Sequence, residues 1–462
     1  MPFVLPECDK DVPERKKHIY VKDEKDEFAI PACNIATTPG DLTERGCTYA
    51  GCRGVVGGPV KDVIQLQHGP IGCCYYPWAA RPHVATGTNF HLANAFSTDL
   101  RESNIVFGGE KKLYNSIVEA SEAFPNAQGV FVYATCVAGL IGDDITAVAK
   151  RASKAIGKPV VAFNCPGFRG VSQSLGHHVG NQVLFDTIVG TEELEEKTPY
   201  DINLIGEYNI KGDDWLIVPL LESIGLRVVC TFTGDASIHD IAKMHAAKLN
   251  VIRCARSAKY IAEMMQEKYG TPFMEVDLYG ITQTANDLRK VAQYFGLEEK
   301  AEEVITKELA EIKEELDFYR EKLKGKKVMI YQGGPRSWHW PETMAELGVD
   351  VVVVATTFGH EDDYEKIVKR VKNGTLVIDN PNAPELEEAM LKYKPDLFIS
   401  GTKEKYLSHK YGVPFLNGHT YESSGGYMVF KGLVRFARDM YKSLYSPSWK
   451  FVRTQETAAE AQ

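Results

Sequence analysis

GVFVYAT (129–135), DDITAVAKRASKAI (143–156) and PVVAFNC (159–165) decide the fold. The first and third are short apolar, β-branched runs next to turn residues, which predict buried strands. The second repeats apolar residues at helical spacing and predicts an amphipathic helix. Strand, helix and strand in this order predict a βαβ unit with parallel strands. Neither strand alternates polar with apolar residues, as expected when helices cover both faces of a sheet.

The same rhythm extends outward. GHHVGNQVLFDTIVG (176–190) predicts the next helix. It resumes in DINLIGEY, DDWLIVPLLESIG, RVVCTFTG, IHDIAKMHAA, LNVIRC and SAKYIAEMMQEKYG. A third set runs through KKVMIYQGG, PETMAELG, VDVVVVATT, DDYEKIVKRV, TLVIDN, PELEEAMLKY, PDLFISG and KEKYLSHKYG, and VFKGLVRFARDMYKSLY predicts a closing helix. The polar stretch TEELEEKTPYD (191–201) and the charged helical stretch 297–325 divide these sets. The expectation is an α/β protein of three Rossmann-like parallel-sheet domains, 1–195, 196–320 and 321–462, with an irregular N-terminal extension. A length of 462 residues agrees with about three domains.

Composition narrows the function. With 53 Lys and Arg against 62 Asp and Glu, the net charge is −9, which disfavours a general nucleic-acid binder. No run approaches the ~20 apolar residues of a membrane span, and the charged N-terminus has no apolar core of a secretory signal. A cytoplasmic enzyme is expected, in which the ten cysteines are not paired as disulfides. GxxxxGK[ST] is absent, and no GxGxxG follows a strand, so neither ATP nor a nicotinamide cofactor is indicated on this chain.

Ligands of open parallel sheets bind beyond the carboxyl ends of the strands. Cys136, Cys165, Cys254, the Gly333-Gly334 pair and His419 all fall at such positions. CxxC is absent, so zinc-ribbon and thioredoxin readings are weak. Instead single cysteines sit beside glycines at long intervals: Cys47 in ERGCTYAG, Cys73 in HGPIGCCYY, Cys136 in ATCVAGLIGDD. Glycines let backbone N–H groups approach an anionic sulfide cluster, and thiolates at such turns suit iron–sulfur ligation. Buried structural cysteine is the commoner fate on spacing alone.

ERGCTYAG, QHGPIGC, LIGDD, CPGFRGVSQSLGHH, LNVIRCARSAKYI, GGPRSWHW and FLNGHTY, in this order along nearly the whole chain, resemble the α subunit of nitrogenase component 1. That superfamily includes the molybdenum, vanadium and iron-only enzymes and the related methylthio-alkane reductases. The resemblance implies three α/β domains around a buried metallocluster. It implies that Cys47, Cys73 and Cys136 hold the α side of a P-cluster shared with a homologous β-type subunit in an α2β2 assembly. It implies that Cys254 and His419 hold the two ends of an active-site cofactor, iron-only or with molybdenum or vanadium, carrying an organic acid such as homocitrate. His177 would donate protons or hydrogen bonds, Gln173 would stand beside the organic acid, and Val55 would gate substrate size. Arg81, Arg336, Gly333 and Gly334 would support the anionic cluster, and Lys403 the organic acid; His178 and Val55 read alone are structural. A separate ATP-hydrolysing iron protein would deliver electrons, and a small third subunit is an option.

Several positions depart from the family pattern. Cys136 is followed by Val137 rather than proline or threonine, Arg81 by Pro82 rather than a second basic residue, and Gly425-Gly426-Tyr427 replaces Gly-Pro-Tyr. Cys74 beside Cys73 is also unusual. GGPRSWHW and FGHEDDYEK resemble the vanadium and iron-only types, SLGHH and TKEK the molybdenum type. These departures favour reductive carbon–sulfur cleavage of methylthio-alkanes, with reduction of dinitrogen to ammonia, accompanied by hydrogen, as the alternative.

Overall fold

A computed structural model of the chain describes residues 18–23, 46–80, 84–86, 95–170, 172–357, 359–419 and 425–451. Three sheets carry the fold. In the first, Phe96–Ser97, Val63–His68, Gly129–Ala134 and Val160–Phe163 lie side by side, all parallel. In the second the order is Arg227–Thr233, Asp201–Glu207, Leu249–Ile252 and Phe273–Glu275, again all parallel. The third has Leu376–Asp379, Asp350–Thr357, Lys327–Gly333, Leu397–Ser400 and Phe415–Asn417 in parallel, with Ile19–Val21 added antiparallel at one edge.

The chain divides into two compact units. One contains 46–276 and the first two sheets; the other contains 277–462 and the third. The first two sheets share one core. Phe131, Tyr133 and Phe163 meet Leu184 of the helix Ser174–Thr187, and the same cluster continues to Ile205, Phe232 and Ile252. In the other unit the charged helix Glu298–Leu323 buries Ile305, Ile312, Leu316 and Leu323, while Glu308 and Glu315 pair with Lys431 and Arg438 of Val429–Leu444. It is amphipathic, with one face packed and one solvated.

Regular structure begins earlier than the sequence rhythm suggests. Val63–His68, the inner strand of the first sheet, was hidden because Gln65, Gln67 and His68 interrupt the apolar run. All three are buried. The Gln65 amide donates to the Gly57 carbonyl at 2.9 Å and accepts from the Tyr133 hydroxyl at 2.7 Å, which offsets its desolvation. The stretch GGPRSWHW also differs from expectation: it is the first half of the helix Gly334–Glu346, which tolerates Pro335 in its first turn.

The helix Ile145–Ile156 illustrates local determinism. Asp144 caps it by accepting from the Thr146 and Ala147 N–H groups at 3.1 and 2.9 Å. Gly157, at φ +69°, ends it in the left-handed conformation.

Candidate functional site

Cys47 precedes the short helix Thr48–Gly51, Cys73 lies in Ile71–Ala80, and Cys136 opens Cys136–Ile141 just beyond the strand Gly129–Ala134. Gly167 brings two of them together. A Cβ there would lie 2.9 Å from Cys136 Sγ and 3.1 Å from Cys47 Sγ, so only a glycine leaves both thiols in place. Cys73 joins the group electrostatically. Desolvation first, then the neighbouring Cys136 and Cys47, push its thiol pKa up. Desolvation and then Cys136 likewise raise that of Cys47 against two lowering backbone hydrogen bonds. Binding to iron would deprotonate such thiols outright.

Cys47 is exposed and the other two are half-buried. Among the described residues no group of three or more His, Cys, Asp or Glu closes on a point as a single metal ion requires. Soft donors spread around a glycine and open on one side fit a larger sulfide cluster completed from outside the chain. Exposed apolar side chains ring the same place: Ile71 and Tyr75 flank Cys73, Leu140 follows Cys136 by one helical turn, and Phe168 adjoins Gly167. Such a patch marks an interaction surface.

The sequence reading missed what holds these loops. His68 of QHGPIGC donates from Nε2 to Asp143 Oδ2 of LIGDD at 2.8 Å, and its Nδ1 meets Thr98 Oγ1 at 3.0 Å. Asp143 also accepts from the Gly109 N–H. Both residues stood inside motifs quoted for their cysteines and glycines, and that co-occurrence was the available signal. Cys52 and Cys165 are also buried, and desolvation first, with Cys52 adding to it, pushes the Cys165 thiol pKa well up.

Cys254 is the N-cap of the helix Ala255–Tyr269, directly after the strand Leu249–Ile252 and Arg253, and is 9 % exposed. Helix N-termini favour negative charge, which suits an anionic sulfur ligand. Gly206, at φ +85°, makes room: its Cβ would lie 2.9 Å from the Cys254 nitrogen. Beside Cys254, Arg253 pairs with buried Glu207 at 3.1 Å.

His177 is buried in the first turn of Ser174–Thr187, and Gln173 is its N-cap. This helix start packs backbone to backbone on Thr48–Gly51. A Cβ at Gly176 would fall 2.0 Å from the Thr48 carbonyl oxygen, and one at Gly46 would fall 3.0 Å from Gln173 Oε1. The segment bearing Cys47 and the one bearing Gln173 and His177 are therefore one packed piece. His178 points elsewhere, edge-on to Tyr260, and burial lowers its pKa. Val55 lies in the apolar core on the π-helical stretch Cys52–Gly57. Arg81 lies outside the described residues.

In the other unit, Gly333 caps the helix Gly334–Glu346, and Arg336 sits in its first turn. Arg336 Nη1 donates to the carbonyls of Gly418 and His419 at 2.7 and 3.2 Å. The His419 N–H donates to Asn417 Oδ1 at 3.0 Å, at the end of the strand Phe415–Asn417. Lys403 is exposed in the turn Thr402–Glu404, next to Gly401, whose Cβ would lie 3.2 Å from His419 Nδ1. Arg336, the glycine pair, His419 and the Lys403 turn thus lie together in this unit. Gly425, which matches the first glycine of the family's Gly-Pro-Tyr, has φ +92°, a conformation that favours glycine; nothing in the structure explains Gly426 in place of proline. No described helix is long and apolar enough to cross a membrane.

Comparison with known proteins bears on this arrangement. A family model described as nitrogenase component 1 type oxidoreductase matches residues 47–445. The nitrogenase molybdenum-iron protein alpha chain of Methanococcus maripaludis is 48 % identical, over 98 % of this chain and 98 % of its own. The nitrogenase iron-iron protein alpha chain of Rhodobacter capsulatus is 43 % identical, over 100 % of this chain and 88 % of its own. The solved structure of nitrogenase Cp1 at pH 5 superposes with a TM-score of 0.89 at 40 % identity, covering 97 % of this chain and 98 % of that one.

Proposed function

The chain belongs to the family of nitrogenase component 1 type oxidoreductases, as an α-type subunit, and we propose that it forms the catalytic half of a dinitrogen-reducing enzyme. The observation that carries the reading is the meeting of Cys47 and Cys136 at Gly167, with Cys73 close enough to feel both, in a chain that also keeps Cys254 and His419 at strand ends. Cys47, Cys73 and Cys136 would hold half of a P-cluster, and a β-type partner seated on the apolar rim would supply the rest, giving an α2β2 assembly. An ATP-dependent iron protein, and in some members a small third subunit, would dock from solution in the cytoplasm.

Cys254 and His419 would hold the active-site cofactor, which when bound supplies multi-electron reduction. This chain's residues do the remainder. His177, buried in the first turn of its helix, would hand on a proton or a hydrogen bond there. Gln173 orients polar groups beside the Cys47 segment. Arg336 and the N–H groups after Gly333 offset negative charge, and Arg81 and Lys403 would add to that. Val55 would limit substrate size by packing. A molybdenum cofactor with homocitrate is the first reading because relatives at 48 % identity bear that metal in their names; GGPRSWHW supports the iron-only or vanadium type as the second.

Carbon–sulfur cleavage of methylthio-alkanes is the second substrate reading, supported by Val137, Pro82 and Gly426, where the sequence departs from the family pattern. The anaerobic complex, given reduced iron protein and ATP, is assayed for ammonia under dinitrogen and for methanethiol with a methylthio-alkane. Ammonia at a rate comparable to hydrogen evolution supports the first reading. Methanethiol without ammonia transfers the proposal to the second.

A further inference from the structure

Gln332 is the last residue but one of the strand Lys327–Gly333, immediately before the glycine pair. Its side chain is 1 % exposed, and among the described residues neither Nε2 nor Oε1 has a hydrogen-bond partner. Burying an amide without partners is costly, so a strand-end glutamine held this way calls for a bound group.

The amide's position says where that group lies. A Cβ on Gly418 would lie 2.9 Å from Gln332 Nε2 and 2.6 Å from the Trp340 ring, so Gln332 and Trp340 wall the turn that carries His419. Arg336 grips the carbonyls of that turn, and the Lys403 turn lies on its other flank. Cationic side chains and a helix N-terminus there favour an anion. The chemistry can be narrowed further. Both a donor and an acceptor of the amide are open. Sulfide could satisfy only the donor, whereas a hydroxycarboxylate offers carboxylate oxygens to Nε2 and a hydroxyl hydrogen to Oε1.

We propose that Gln332 is a further recognition residue for the organic acid of the active-site cofactor, bonding a hydroxycarboxylate through both ends of its amide. The proposal rests on the reading of His419 as the cofactor histidine.

The test uses the complete complex, purified anaerobically, as wild type, Gln332→Met and Gln332→Glu. Methionine keeps length and volume without the amide; glutamate keeps an acceptor but loses the donor. Iron per complex, the paramagnetic resonance spectrum of the cofactor, and hydroxy acid released on acid quench are measured after dialysis. Acid retained per cofactor should fall about tenfold in Gln332→Met, the scale of losing an outer hydrogen-bond partner, with the P-cluster iron unchanged. The cofactor spectrum should shift in both variants. Retention and spectrum equal to wild type in both variants overturn the proposal, assigning the amide to an ordered water, and leave the family reading intact. Wild-type complex with P-cluster iron but no hydroxy acid overturns it as well. Wild type lacking cofactor iron altogether overturns the reading of His419 itself.

Discussion

His68 Nε2 stands 2.8 Å from Asp143 Oδ2, joining the loop that leads to Cys73 with the loop that follows Cys136. Both side chains are almost wholly buried, and Asp143 accepts in addition from the Gly109 N–H at 3.0 Å. One carboxylate thus fixes three chain segments around the thiol group. Replacing Asp143 with alanine leaves the Nε2 edge of a buried imidazole and the Gly109 N–H without this acceptor, and should cost about 1–3 kcal/mol for each group left unsatisfied. Thermal unfolding of the complex together with its iron content checks this: a lower melting temperature and reduced P-cluster iron are expected. Unchanged iron would mean that the pair does not position the cysteines.

Gly167→Ala separates cluster binding from folding. The added methyl would stand 2.9 Å from Cys136 Sγ and 3.1 Å from Cys47 Sγ, so at least one thiol must turn away. The backbone there needs no left-handed conformation, so the fold itself should tolerate alanine. Circular dichroism near wild type with depleted P-cluster iron is the expected pair of results.

Gly206→Ala addresses the other cysteine. At φ +85° an alanine costs about 1–2 kcal/mol in strain, and its Cβ would press on the Cys254 nitrogen at 2.9 Å. The variant should lose cofactor iron while keeping the iron held by Cys47, Cys73 and Cys136. Equal loss of both would point to general unfolding instead.

Asp287 supplies a pH test away from the thiols. Burial raises its pKa from 3.8 to about 6, although it accepts from the Asp277 and Leu278 N–H groups. The folded state therefore binds the proton more tightly than the unfolded state. Its stabilising effect is complete below about pH 3.8 and is lost as pH rises through 6, a difference of about 3 kcal/mol. The substitution Asp287→Asn removes that dependence. The stability of the variant relative to wild type should rise between pH 4 and pH 7, measured by denaturant unfolding at each pH. A constant difference would contradict the buried-acid account.

How much of this was legible in the sequence follows from physical rules. Strands such as Gly129–Ala134 and Asp350–Thr357 announce themselves because nearly every side chain is apolar and covered on both faces. Val63–His68 did not, because its polar residues are satisfied by distant partners that spacing cannot reveal. The cysteines were visible as glycine-flanked singletons, but the meeting of Cys47 and Cys136 at Gly167 joins segments far apart in the chain, which spacing cannot reveal. Gln332 was invisible for a different reason: a single glutamine at a strand end carries no pattern, and what distinguishes it is that its buried amide has no partner among the described residues.

Metal analysis of the anaerobically purified complex with its β-type partner tests the central claim most directly. Iron in amounts sufficient for two kinds of cluster is expected. Replacing Cys136 with alanine should deplete one pool, and replacing Cys254 with alanine the other. A folded wild-type complex free of iron, or iron unaffected by both substitutions, would contradict the account.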